Sequence, residues 1–220
     1  MSGLRFGTGP AGLRRVLFLG AHSDDIEIGC GGLVLELLRR YPRVAFRWVV
    51  LSAAGVRGSE ARDSARRFLG SRTERALRLF TFRDGFFPAE FADVKEAFEE
   101  IARGFQPDLV LTHTRDDRHQ DHRVVSDLTW NTFRRQLILE YEIPKWDGDL
   151  GRPNFYVPLS GATARRKTRL LMSGFASQRS KDWFSPETFL GLMRLRGMEC
   201  RARGGYAEAF TARKASLELG

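Results

Sequence analysis

Short apolar runs alternate with helically patterned stretches as far as about Gln136, and this alternation limits the fold more than any other feature. Residues 16–20 (Val-Leu-Phe-Leu-Gly) are continuously apolar, as in a strand buried on both faces, without the in–out pattern of a half-exposed one. Residues 31–41 then read as a helix, with Leu33, Leu37 and Leu38 on one face and Pro42 as its stop. A second strand, 44–51, is β-branched and aromatic. Ser59 opens a second helix that Gly70 closes. A third strand over 76–82 ends at Asp84-Gly85, and Val94, Phe98 and Ile101 fall at helical spacing over 91–105. Residues 109–112 form a fourth strand, with a helix starting near His122. The expected fold class is α/β, a mostly parallel sheet with helices on both faces. The pattern blurs after Gln136. Residues 141–158, rich in Pro, Gly and Asp, read as an excursion and, with the aromatic-rich stretch 82–91, as a candidate substrate rim, and helices over 163–177 and 186–196 close the chain. At 220 residues the chain suits a single domain, 1–220.

The four histidines are placed with the same economy. His22 follows the first strand, and His113, His119 and His122 fall at and just after the end of the fourth. Ligands of open α/β sheets bind at the carboxyl ends of the strands, so the active site is expected there. The first cluster reads Ala21-His22-Ser23-Asp24-Asp25-Ile26-Glu27, and the second Asp117-Arg118-His119-Gln120-Asp121-His122. In a loop past a strand, His22 and Asp25 can turn to a common point while Asp24 faces elsewhere, and His122 supplies a third ligand from the neighbouring strand end. Two imidazoles and a carboxylate with an open fourth position describe a catalytic zinc site. Adjacent carboxylates at 24 and 25 repel unless a dication holds one, which leaves the other free as a base. Polar turns and helix caps would explain either cluster alone. The same donors also fit a non-haem iron centre, although here the spacing is His-x-x-Asp. A dinucleotide enzyme fits poorly, because Gly29-Cys30-Gly31-Gly32 follows an acidic loop. A serine hydrolase would need a G-x-S-x-G elbow that the chain lacks.

Lys+Arg number 36 against 27 Asp+Glu, a formal charge of +9, and only five of the 36 are lysine. Such a balance admits a non-catalytic protein that binds nucleic acid or acidic membranes. The basic residues are spread along the chain and mixed with acids, without an aromatic-and-basic stripe, so no nucleic-acid partner is expected. The start of the chain is Gly- and Arg-rich, and the apolar run after it is too short for a signal-peptide core. No apolar run reaches the roughly 20 residues of a membrane span. The two cysteines, Cys30 and Cys200, form no disulfide framework. A cytoplasmic location is the expectation.

At the two histidine clusters the sequence resembles the PIG-L/LmbE family of zinc-dependent de-N-acetylases, which carry a His-Pro-Asp-Asp-Glu type motif after the first strand and a later His-x-Asp-His. The resemblance extends through Arg57-Gly58-Ser59-Glu60 with Leu69-Gly70, Pro107-Asp108, and Gly205-Tyr206-Ala207-Glu208-Ala209-Phe210. Ser23 stands where Pro is usual, and Ile26 where Glu is common, with Glu27 next along. The resemblance implies a Rossmann-like fold and hydrolysis of the acetamide of an N-acetylglucosamine-type sugar or conjugate, and the basic charge balance points to a nucleotide- or lipid-linked one. It implies Zn2+ on His22, Asp25 and His122, with Asp24 as general base. His119 would face the developing oxyanion or leaving amine, with Asp121 as its orienting partner, and Arg57 would contact substrate. His113 and Asp117 read as supporting residues.

Overall fold

In the computed structural model, which describes residues 12–216, the sheet has the order β3-β2-β1-β4-β5-β7-β6. Most of the Gly- and Arg-rich start of the chain lies outside the described residues. The strands are β1 (Arg15–His22), β2 (Ala45–Ser52), β3 (Leu77–Leu79), β4 (Leu109–His113), β5 (Leu137–Tyr141), β6 (Phe155–Leu159) and β7 (Tyr206–Thr211). The helices are α1 (Asp25–Arg40), α2 (Gly55–Leu69), α3 (Thr73–Ala76), α4 (Phe91–Gly104), α5 (Gln120–Thr132), α6 (Gly161–Gly174) and α7 (Pro186–Glu199). The first five strands in sequence pair in parallel, and β7 runs antiparallel to both β5 and β6.

Successive strand residues face opposite sides, so a strand covered on both sides must be apolar throughout. Phe18, Trp48 and Val50 pack with residues of α1, α2 and α6 on one side. Leu17, Leu19, Val49 and Leu51 pack with Val94 and Phe98 of α4 and Val125 and Leu128 of α5 on the other. Both cysteines are buried and free. Among the described residues no helix is long and apolar enough to cross a membrane.

Five sequence expectations need correction. The second helix starts at Gly55, four residues before Ser59, and the last element among the described residues is β7 and not a helix. The third strand is three residues long, because α3 takes up Ala76. The 141–158 excursion shortens to a connection between β5 and β6, since residue 155 already pairs with β7. And α1 begins at Asp25, six residues before the expected start, with a kink at Cys30 (φ −143°, ψ 18°). Beyond the kink the amides of Gly32 and Leu33 donate to the Glu208 carboxylate at 2.7 and 2.6 Å, so β7 caps the second half of the helix. The glycines are there for close packing. A Cβ on Gly29 would lie 2.2 Å from the Tyr141 ring, and one on Gly32 would lie 2.5 Å from Leu159.

The helix connections leave β1 and β4 in opposite directions along the sheet, so the crevice between their carboxyl ends is the switch point where such folds bind ligands.

Candidate metal centre and active site

Both histidine clusters open at that crevice. His22 ends β1, and Asp24 and Asp25 form the cap and first residue of α1. His113 ends β4, His119 caps α5, and Asp121 and His122 lie in its first turn. His22 Nδ1 and His122 Nε2 are 3.1 Å apart. Asp25 places Oδ2 3.5 Å from the first and Oδ1 3.5 Å from the second. Tetrahedral zinc with bonds of about 2.0–2.1 Å needs donors roughly 3.3 Å apart, so the spacing suits a dication once the carboxylate turns about its soft χ2 to offer one oxygen to both.

The donors form overlapping groups. His22, His119 and His122 make one, Asp25, His113 and His122 another, and His22, Asp84, His119 and Asp121 a third. His119 is poorly set up to ligate. Its Nδ1 accepts the Asp121 backbone N–H at 3.2 Å, which leaves the ring proton on Nε2 as a donor.

Each imidazole of the expected pair has a carboxylate behind it, the usual support of a metal-bound histidine. Asp117 Oδ2 lies 2.9 Å from His122 Nδ1. Asp121 Oδ2 and Asp84 Oδ1 lie 3.2 and 3.1 Å from His22 Nε2. This corrects the expected pairing of Asp121 with His119. Asp121 carries its carboxylate to the N–H groups of Gly85 (2.6 Å) and Phe87 (3.1 Å), and from there it meets His22. His119 receives only the Asp121 backbone.

The electrostatics favour a cation at this point. Burial would raise Asp25, but His122, His113 and His22 hold it well below the ordinary carboxylate range. Burial, aided by the neighbouring His113, pushes His122 down to about 3, so its ring is neutral and free to ligate. His22 goes the other way. Burial opposes its charge, yet Asp25, Asp121 and Asp84 raise it well above its usual value, holding a proton that a dication would displace. His119 is lowered, by burial and then by His22. Glu27 leaves the site for the core. It accepts from Ser64 at 2.5 Å, and burial raises it to about 8.

Asp24 stands beside the donors with a different partner, Arg57, whose Nη2 donates to Oδ1 at 2.5 Å. A cleft of about 210 Å³ is lined by these groups together with Asp84, Lys145, Gln178, Lys181 and Trp183. Sequence reasoning missed Gln178, Lys181 and Trp183, which sit in unpatterned connections, whereas Asp84 and Lys145 lie in the stretches 82–91 and 141–158 that the sequence offers as candidates for the substrate rim. A larger groove of about 550 Å³ runs between α1 and β6, but its acid, Glu36, is already bonded to Arg39, Arg40 and Thr163.

Comparison with known proteins bears on the same residues. The family described as "PIG-L: GlcNAc-PI de-N-acetylase" matches residues 17–133, a stretch that contains both clusters. The uncharacterized deacetylase YaiS of Escherichia coli (strain K12) is 30% identical over 139 residues, 59% of this chain and 74% of YaiS. Two solved structures share the fold. The N,N'-diacetylchitobiose deacetylase of Pyrococcus horikoshii has a TM-score of 0.65 at 20% identity, over 90% of this chain and 83% of its own. GalB, the 4-carboxy-2-hydroxymuconate hydratase of Pseudomonas putida, has a TM-score of 0.70 at 17% identity, over 94% and 99%. One fold thus carries both a deacetylase and a hydratase, and the choice between reactions lies in the site.

Proposed function

Because the chain belongs to the PIG-L family of de-N-acetylases, and is on that footing a hydrolytic N-deacetylase, we propose that it uses zinc to remove the acetyl group from an N-acetylated amino sugar or sugar conjugate. His22, Asp25 and His122 would hold the ion. The observation that carries this reading is the cluster of two imidazole nitrogens and a carboxylate within 3.1–3.5 Å, each ring backed by a carboxylate.

Zinc, when bound, lowers the pKa of a coordinated water towards about 7 and polarises the acetamide carbonyl. The chain's own residues supply the rest. Asp24, fixed through Oδ1 by Arg57, is the base that takes the proton of the attacking water. His119, with its proton on Nε2, donates to the carbonyl oxygen as negative charge develops there; one such donor is commonly worth about 3 kcal/mol. Asp24 then returns its proton to the departing amine, and acetate leaves. Arg57 is placed to contact substrate only at the expense of its grip on Asp24.

The test is chemical. Purified protein is expected to carry about one zinc per chain and to release acetate and free amine in equal amounts from a panel of N-acetylglucosamine conjugates. Chelation should stop the release and added zinc restore it. Acetate-free turnover, or iron in place of zinc, would overturn the corresponding half of the reading. Asp121→Asn tests the carboxylate behind His22. Asn cannot accept from two amides and the imidazole together, so metal affinity in a chelator competition should fall about 10–100-fold. Unchanged affinity with a loss of kcat would return Asp121 to the service of His119.

A further inference from the structure

Two segments that carry no metal donor and no proton-transfer group line one part of the cleft. One is the connection after β5, which lines the cleft with Lys145 and carries Trp146 just outside the lining; the other runs from Gln178 to α7, with Lys181 and Trp183. They are fastened to each other. Trp146 Nε1 donates to Asp182 Oδ1 at 2.6 Å, and the Trp146 and Trp183 rings meet edge to face with centroids 6.1 Å apart. The second segment is anchored below by Phe184, which is buried and packs against Trp183, Phe175 and Phe189.

Three lysine and arginine side chains line the cleft, and two are paired with carboxylates. Arg57 pairs with Asp24 and Glu60, and Lys145 with Asp117 and Asp149. Lys181 lies over Trp183, 5.4 Å from the ring centroid, and among the described residues no carboxylate pairs with it. Its neighbour Asp182 is already taken by the Trp146 indole and the Trp183 backbone N–H. Trp146 is 67% exposed, and Trp183 Nε1 is buried with no hydrogen-bond partner. A cleft of about 210 Å³ falls short of the roughly 300–1,000 Å³ that encloses a drug-sized ligand, so only part of a conjugate fits inside. Whatever is attached to the reacting sugar therefore extends beyond the cleft, and Lys181 and Trp183 stand at its margin.

We propose that Lys181, Trp146 and Trp183 form a subsite for the group attached to the reacting sugar, and that Lys181 selects an anionic one, a carboxylate or a phosphate. The inference rests on the reading of the cleft as the deacetylation site. The tryptophans offer flat amphipathic faces to a ring or linker, and Lys181 supplies the unpaired charge.

Steady-state kinetics on three substrates test it: N-acetylglucosamine 1-phosphate, a 4-carboxyphenyl N-acetylglucosaminide and the neutral methyl glycoside. Wild type should favour at least one anionic substrate over the neutral one about tenfold in kcat/KM, and the favoured arm identifies the anion. Lys181→Ala should collapse that ratio through KM, Lys181→Arg should keep it, and Lys181→Glu should invert it. Equal effects on charged and neutral substrates, or no preference in wild type, overturn the subsite. If wild type releases acetate from none of the three, the deacetylase reading is in question, and the subsite is read by binding alone. Glucosamine 1-phosphate should then still quench tryptophan fluorescence in wild type and not in Lys181→Ala. Absence of quenching in wild type, or quenching that Lys181→Ala retains, rejects it.

Discussion

Asp24→Asn is expected to keep its zinc and to lose kcat by about 10²–10⁴, the range a positioned general base contributes. Asn matches Asp in shape and keeps an Oδ1 that can accept from Arg57, so the 2.5 Å contact and the start of α1 survive. What disappears is a group able to take a proton from water and give it to the amine. The metal should stay because its oxygen donors belong to Asp25, which lies 3.5 Å from each of His22 Nδ1 and His122 Nε2. The neighbouring substitution therefore separates the roles, since Asp25→Asn should lose metal and activity together. Elemental analysis of both variants beside their kcat values decides the point. A metal-free Asp24→Asn protein would exchange the roles of 24 and 25.

The parts of the fold legible in the sequence are those where burial is nearly complete. β1, β2 and β4 lie inside the sheet, are covered on both faces and read as apolar runs. The last third resisted for the opposite reason. β6 is an edge strand, partly exposed and carrying Pro158, and β7 pairs antiparallel with strands from two different stretches of chain. The start of α1 was illegible because a helix interrupted at Gly-Cys-Gly-Gly depends on Glu208, 176 residues away from Gly32.

The site divides in the same way. Both clusters were visible because strand ends gather chemistry, and the structure brings His22, Asp24, Asp25, His119 and His122 to one cleft with Arg57. The partner of Asp121 was not visible. Neighbours in sequence suggested His119, but the carboxylate is set by amides of Gly85 and Phe87, on a loop 34 to 36 residues away. Lys181 and Trp183 arrive from a connection with no periodicity, so only three-dimensional contact reveals them, whereas Lys145 comes from the 141–158 stretch already offered as a substrate rim.

His122→Ala is expected to purify with essentially no zinc and no measurable deacetylation, a larger loss than the 10–100-fold that removal of an outer partner costs. Its Nε2 touches both of the other expected ligands, His22 at 3.1 Å and Asp25 at 3.5 Å, so its loss removes one corner of the donor triangle. The ring is buried, stacked on His113 with centroids 3.9 Å apart, and kept neutral, so acidification to about pH 4 leaves its lone pair available. His22 sets the pH dependence instead. Its pKa is raised, so metal must displace a proton, and zinc affinity should fall as pH is lowered through that raised value and recover above it. The fold should survive, because Asp117 keeps Lys145 at 3.0 Å when the imidazole is gone, and circular dichroism of the variant checks this. His119→Ala is the necessary companion. With its Nδ1 occupied by the Asp121 N–H, His119 should be dispensable for binding, so this variant keeps zinc and loses turnover. The reverse outcome, zinc retained without His122 and lost without His119, would move the centre to the group of His22, Asp84, His119 and Asp121.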